Sequence, residues 1–142
     1  MANVVINRFK TQSMAAGIDL TAAGTLKCAL LNDIFTASAS VIADIQSFSA
    51  ISSVWEASGV NYSAGGVVLS ATGVSEDDAG EKGIFSAANV TWATATITAY
   101  GAFIYRASDS FPVCAIDFGG AKTSTAGDFT IQWNALGIIN LT

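Results

Sequence analysis

The sequence predicts an all-β, mainly antiparallel domain: a single-domain β-sandwich or barrel of about eight short strands. Apolar runs of strand length recur along the chain, and turn-forming residues separate them at the spacing typical of these folds. Residues 128–133 alternate cleanly, with Phe129, Ile131 and Trp133 on one face and polar residues on the other. A chain of 142 residues suffices for one domain with its own core. No internal repeat or linker divides residues 1–142.

The chain is poor in charge, with charged residues making up 12% of it and a net charge of −5. In globular domains, charged residues typically make up about 25% of the chain. A surface of this kind predicts that other subunits cover part of it, so we expect a homo-oligomer or self-contacts. The basic residues form no stripe, which argues against a nucleic-acid partner, and no apolar run reaches the roughly 18 residues of a membrane span. The basic residues are Arg8, Lys10, Lys27, Lys82, Arg106 and Lys122.

The N-terminal segment, residues 1–17, is expected to be a short helix or an extended arm. Asn3 could cap a helix over residues 4–16 that Gly17 ends, with Ile6 and Phe9 on one face. The alternative is an arm that reaches a neighbouring subunit. The opening lacks the layout of a secretory signal, which predicts a protein made in the cytoplasm.

Residues 25–31 follow as a buried strand, and residues 32–54 as a long Ser- and Ala-rich connection. Val41, Ile42 and Ile45 have helical spacing, so this connection could hold a short helix. Connections of this length are often functional, which makes residues 32–54 a candidate docking loop.

The remaining elements are short strands and turns. Gly65 and Gly66 suggest a bulge or a close backbone approach before the strand that ends at Leu69. Residues 96–105 are apolar on both faces, as expected of a strand in the interior or at a subunit contact. Further strands are predicted at residues 55–59, 84–85, 90–92, 113–118, 128–133 and 138–141, with a surface loop at 75–82 and turns at 107–110 and 119–120.

No pattern for catalysis, a cofactor or a metal stands out. The chain has no histidine, which removes Ser-His-Asp and Cys-His chemistry and the commonest transition-metal ligand. Asp117 has no second carboxylate placed to partner it, so we expect a hydrogen bond to a neighbouring turn or an ion pair with Arg106 or Lys122. Glu76, Asp77, Asp78 and Glu81 do not match an EF-hand and are better explained as a solvated hairpin loop than as a calcium site.

The cysteines and the large aromatic residues are expected to be structural. Cys28 and Cys114 lie within apolar runs and should be buried and free. Six aromatic side chains could form a sugar-binding platform, but filling a core or an interface is the commoner role. They are Trp55, Tyr62, Trp92, Tyr100, Tyr105 and Trp133.

Nearly the whole chain resembles a family of small virion proteins of tailed bacteriophages. The matching segments are residues 7–10 (NRFK), 18–20 (IDL), 26–31 (LKCALL), 62–67 (YSAGGV), 90–92 (VTW), 96–99 (TITA), 104–105 (IY), 116–119 (IDFG), 124–135 (STAGDFTIQWNA) and 137–138 (GI). Residues 32–55 depart from the family, being longer and more apolar here. Most matched segments form strands or turns, so they specify a fold more strongly than a role.

The resemblance implies a non-enzymatic structural protein of the virion. Its most fitting role is a capsid decoration (cement) protein that binds the outside of the head, bridges capsomers and has the major capsid protein as its partner. A tail or neck ring component, or a surface carbohydrate- or receptor-binding module, are the alternatives. The contact residues predicted for docking are Val4, Ile6, Phe9, Phe35, Ile42, Ile45 and Phe48.

Overall fold

A computed structural model describes residues 3–15, 17–22, 24–33 and 38–141 of the chain. These residues form a mostly antiparallel β domain with a few short helices, which confirms the predicted fold class. The strands are β1 (Val4–Val5), β2 (Leu26–Leu31), β3 (Gly59–Val60), β4 (Val67–Val68), β5 (Gly73–Asp77), β6 (Lys82–Ser86), β7 (Val90–Arg106), β8 (Phe111–Ile131) and β9 (Ile139–Leu141). The helices are α1 (Asn7–Met14), α2 (Ala39–Ala43) and α3 (Ser49–Trp55).

The strands form two sheets. The larger has the order β1-β8-β7-β2-β4, with β3 also paired to β7, and the smaller has the order β5-β6-β9. One hairpin, β7 and β8, dominates the domain, and the predicted turn at residues 107–110 joins its strands. The separate short strands predicted between residues 90 and 133 are therefore pieces of two long strands.

The β7–β8 hairpin continues through Gly119 and Gly120, where the sequence predicts a turn. Instead of turning, β8 bulges: between the pairs Gly101–Asp117 and Ala99–Lys122, β7 advances by two residues and β8 by five. Positive φ angles at both glycines permit this excursion. An extended strand from Phe118 to Phe129 would span roughly 35 Å, yet their ring centroids lie 6.2 Å apart. The paired strands therefore curl strongly between Phe118 and Phe129.

The predicted helix over residues 4–16 is wrong at its start. Val4 and Val5 pair with Ala115 and Cys114 at the edge of β8, because β-branched residues favour a strand when an edge is available. The side chain of Asn3 accepts a hydrogen bond from the backbone N–H of Asp117 (2.8 Å) instead of capping a helix. Helix α1 therefore begins at Asn7.

Residues 32–54 contain more regular structure than the sequence predicts. The short helix suggested by Val41, Ile42 and Ile45 is present as α2, although it ends at Ala43, before Ile45. Helix α3 was not predicted. Trp55, predicted to open a strand, is the last residue of α3. The Ser-rich stretch has weak intrinsic preference for a helix, and burial of Ile51 in the core holds it in place.

The predicted loop at residues 75–82 is also shorter than expected. Its first residues belong to β5 and Lys82 begins β6, so only residues 78–81 form the turn.

Candidate functional site

The predicted docking residues lie mainly inside the protein, which corrects that prediction. Ile6, Phe9 and Ile42 are fully buried, Ile45 and Phe48 nearly so, and Val4 is half-buried against the core. Phe48 stacks on Tyr105 with 4.1 Å between ring centroids. In this fold these side chains fill the sandwich, because the two segments pack on the larger sheet as part of one domain. Phe35 lies outside the described residues.

The two segments do lie side by side. Asn7 donates a hydrogen bond to the Asp44 carboxylate (2.8 Å), and Arg8 donates one to the backbone carbonyl of Gln46 (2.6 Å). Their outward surface is mostly polar, with exposed apolar side chains at Met14, Val41 and Val54. This layer therefore offers a partner scattered apolar groups instead of the aromatic contacts that the sequence suggested.

The outer half of the β7–β8 hairpin presents a broad exposed surface rich in threonine, with Asp128 and Lys122 as the charged side chains beside it. Five exposed threonines occupy one side of it, and we call them the threonine face: Thr91, Thr96, Thr98, Thr123 and Thr130. The opposite side of the same strands is buried through Trp92, Ile97, Phe129 and Ile131. One face thus anchors the hairpin and the other remains open.

Hydrogen bonds between the strands hold the threonine face in order. The hydroxyls of Thr91 and Thr130 lie 2.9 Å apart, and those of Thr98 and Thr123 lie 3.0 Å apart. Thr96 accepts a hydrogen bond from the backbone N–H of Ala126 (3.0 Å). Cross-strand threonine pairs of this kind stabilise a sheet and fix the side chains. Sequence reasoning missed this surface, although threonine alternates with alanine and isoleucine from Thr94 to Ala99.

Most of the large aromatic side chains are structural, as the sequence predicts. Trp92 and Tyr105 are buried, while Trp55, Tyr62 and Trp133 pack half-buried against the core. Tyr100, which is 38% exposed, is the only one of the six on the open surface. They therefore form no exposed platform for a sugar ring.

A hydrogen-bonded cluster ties the loop at residues 61–66 to the larger sheet. Tyr62 donates its hydroxyl proton to the Glu56 carboxylate (2.8 Å) and accepts a bond from the Leu30 N–H (3.0 Å). The N–H of Gly65 donates to the same carboxylate, and Tyr105 donates to the Gly65 carbonyl (2.7 Å). Burial raises the pKa of Tyr62 and raises that of Tyr105 to about 12. Both hydroxyls are therefore protonated donors at neutral pH, which suits a structural clamp.

Two of the carboxylates singled out from the sequence, Asp77 and Asp117, serve local turns. Asp117 accepts a bond from the Gly119 N–H (2.8 Å), as predicted, whereas Arg106 pairs with Asp109 (2.7 Å). Asp77 accepts a bond from the Gly80 N–H and pairs with Lys82 at 3.4 Å, and the Gly80 bond lowers the pKa of Asp77. Among the described residues, no group of three or more His, Cys, Asp or Glu side chains is placed to hold a metal ion.

Comparison of the chain with family models, with curated proteins and with solved structures finds no match. The resemblance to phage virion proteins therefore stays a prediction, as do the virion location and the partner. No helix in the described part of the chain is long and apolar enough to cross a membrane.

Proposed function

We propose that this chain is a structural protein of a tailed-phage virion that decorates the outside of the head. In this proposal it contacts the major capsid protein through the threonine face. The observation that carries the proposal is this open, ordered surface, whose five threonines bear no charge. The resemblance of the sequence to small virion proteins supplies the choice of particle.

A surface of this kind suits a broad protein contact. The centres of protein interfaces are depleted in charged residues, and threonines fixed by cross-strand bonds lose little side-chain freedom on binding. A standard specific interface buries about 1,600 Å² in total. Many copies on a symmetric shell would add avidity to a modest individual contact.

A test is binding of the purified protein to heads that lack it, measured by co-sedimentation. Thr98→Arg places a bulky charge in the middle of the threonine face, so we expect at least a roughly tenfold loss of affinity. Ser53→Arg puts the same side chain on an exposed position of α3 and should bind as the wild type does. Because the five threonines carry no charge, added salt should change the wild-type affinity less than it would change a contact between charged side chains.

Normal binding by the Thr98→Arg variant would contradict docking through this face. Binding confined to tails or necks would favour the alternative of a ring component.

A further inference from the structure

Several strand edges in the described part of the chain lack a partner strand, among them the outer side of β8 beyond its bulge and the outer side of β5. We propose that these two edges pair with each other between copies, so that β5 of one copy adds to residues 122–125 of β8 in the next. The proposal concerns contacts between copies of this chain and does not depend on binding to a head.

The first edge is the outer side of β8 beyond its bulge. Lys122, Thr123 and Ser124 pair with β7 on one side, and no described strand pairs with them on the other. A cleft of about 340 Å³ opens here, lined by β8 alone, with Phe118 and Phe129 among its walls. The cleft gives an incoming strand access to the unpaired backbone groups, as in strand addition.

The second edge is β5, which pairs with β6 only, among the described strands. The side chains of Val74, Ser75 and Glu76 are exposed along it. Its five residues are long enough to cover residues 122–125 of the β8 edge.

Charge selects this pairing over others. Lys122 borders the β8 cleft and Glu76 lies on β5, and neither makes an ion pair with a described residue. Asp128 also borders the cleft, outside residues 122–125, where its carboxylate accepts the Thr94 N–H (3.1 Å); Lys122 is the charged residue on the edge itself. A lysine on a strand edge disfavours apolar or basic strands, so an acidic strand such as β5 is the complementary occupant.

The two edges differ, so the contact is heterologous. Each copy would offer β5 to one neighbour and β8 to another, and the assembly would close into a ring or extend as a string. On a particle, such contacts would link neighbouring copies.

Charge reversal tests the pairing by sedimentation velocity of the full chain over a range of concentrations. The wild type should self-associate, whereas Lys122→Glu and Glu76→Lys should each raise the dissociation constant at least about tenfold, since like charges then meet. An equimolar mixture of the two variants should associate again, because each supplies the charge that the other lacks. Both positions are exposed, and circular dichroism checks that the variants fold.

Lys10→Glu, at an exposed position of α1, is the matched control. It should self-associate as the wild type does. In a mixture of Lys10→Glu and Glu76→Lys, the copies of Glu76→Lys should still fail to contact each other. A wild type that is monomeric at every concentration would overturn the proposal. So would single variants that associate normally, or a mixture of Lys122→Glu with Glu76→Lys that stays monomeric.

Discussion

Gly66 allows the backbone next to β4 to lie close to β2. Its φ is +75°, and a Cβ at this position would collide with the backbone carbonyl of Cys28 on β2. The adjoining Val67 and Val68 then pair with Cys28 and Lys27. The predicted close backbone approach at the Gly65–Gly66 pair is therefore confirmed, and it has a specific cause.

Replacing Gly66 by alanine should destabilise the protein more than the same change at Gly24. Gly24 has the same φ of +75° but open space around its Cβ position, so Gly24→Ala should cost only the backbone strain, about 1–2 kcal/mol. Gly66→Ala adds a steric collision and should cost at least about 2 kcal/mol more. Urea unfolding measures both, and equal costs would show that β4 moves away freely.

Phe9 illustrates why the N-terminal segment belongs to the core. Phe9→Ala should lower the free energy of unfolding by about 3–5 kcal/mol, because it removes a large, fully buried side chain. Met14, on the same helix, is 84% exposed, so Met14→Ala should change stability by no more than about 0.5 kcal/mol. Urea unfolding of the two variants separates these cases. A small effect at Phe9 would mean that α1 acts as a detachable arm.

At the scale of elements, the central strands of the larger sheet keep the two cysteines apart. Cys28 on β2 and Cys114 on β8 both pair with Ile104 of β7. Two strand spacings, about 10 Å, separate them, which is too far for a disulfide. Both thiols are buried and free, as the sequence predicts. Burial raises both pKa values, that of Cys114 to about 12.

These raised pKa values predict that stability falls as the pH rises above about 9. A thiol in the unfolded chain loses its proton near pH 8.5, whereas Cys114 in the folded chain keeps its proton up to about pH 12. The unfolded state thus binds fewer protons across this window, and the free energy of unfolding decreases with pH. Tyr105 acts in the same direction.

The Cys114→Ala variant isolates the contribution of that thiol. Urea unfolding at several pH values should give a shallower decline for the variant than for the wild type above about pH 9. Identical slopes would show that the Cys114 thiol ionises in the folded chain as it does in the unfolded one.

Local patterns in the sequence predict the elements that depend on local chemistry. The buried strand at Leu26–Leu31, the turn at residues 107–110 and the inward positions of Phe129 and Ile131 follow from apolar runs, turn residues and alternation. Other features depend on distant partners. Val4 and Val5 form a strand only because the edge of β8 is free at Cys114 and Ala115, and β8 passes Gly119 because β7 continues to pair beyond the bulge.

The candidate surfaces are harder to predict than the core for a related reason. From the sequence alone, Phe9, Ile42 and Phe48 resemble contact residues. The sequence pattern shows that these side chains are apolar, but it does not show which residues they pack against. The threonine face becomes evident only when β7 and β8 are paired, since its hydroxyl contacts join residues as distant as Thr91 and Thr130.

At the scale of the whole molecule, the two proposed contacts adjoin at Thr123, whose side chain belongs to the threonine face and whose backbone belongs to the β8 edge proposed to pair with β5. The five threonines of the threonine face carry no charge, so binding through them should depend less on salt than a contact between charged side chains. The proposed β5–β8 contact includes Lys122 and Glu76 and should weaken as salt is added. The ionic-strength dependence of head binding and of self-association therefore distinguishes the two contacts.

The most direct measurement is electron cryo-microscopy of the parent particle at side-chain resolution. The proposed function predicts density for this chain over the whole head, with Thr98 and Thr123 of the threonine face against the major capsid protein. Density confined to the neck or tail would contradict the decoration role, and absence of the chain from the particle would contradict a virion function altogether.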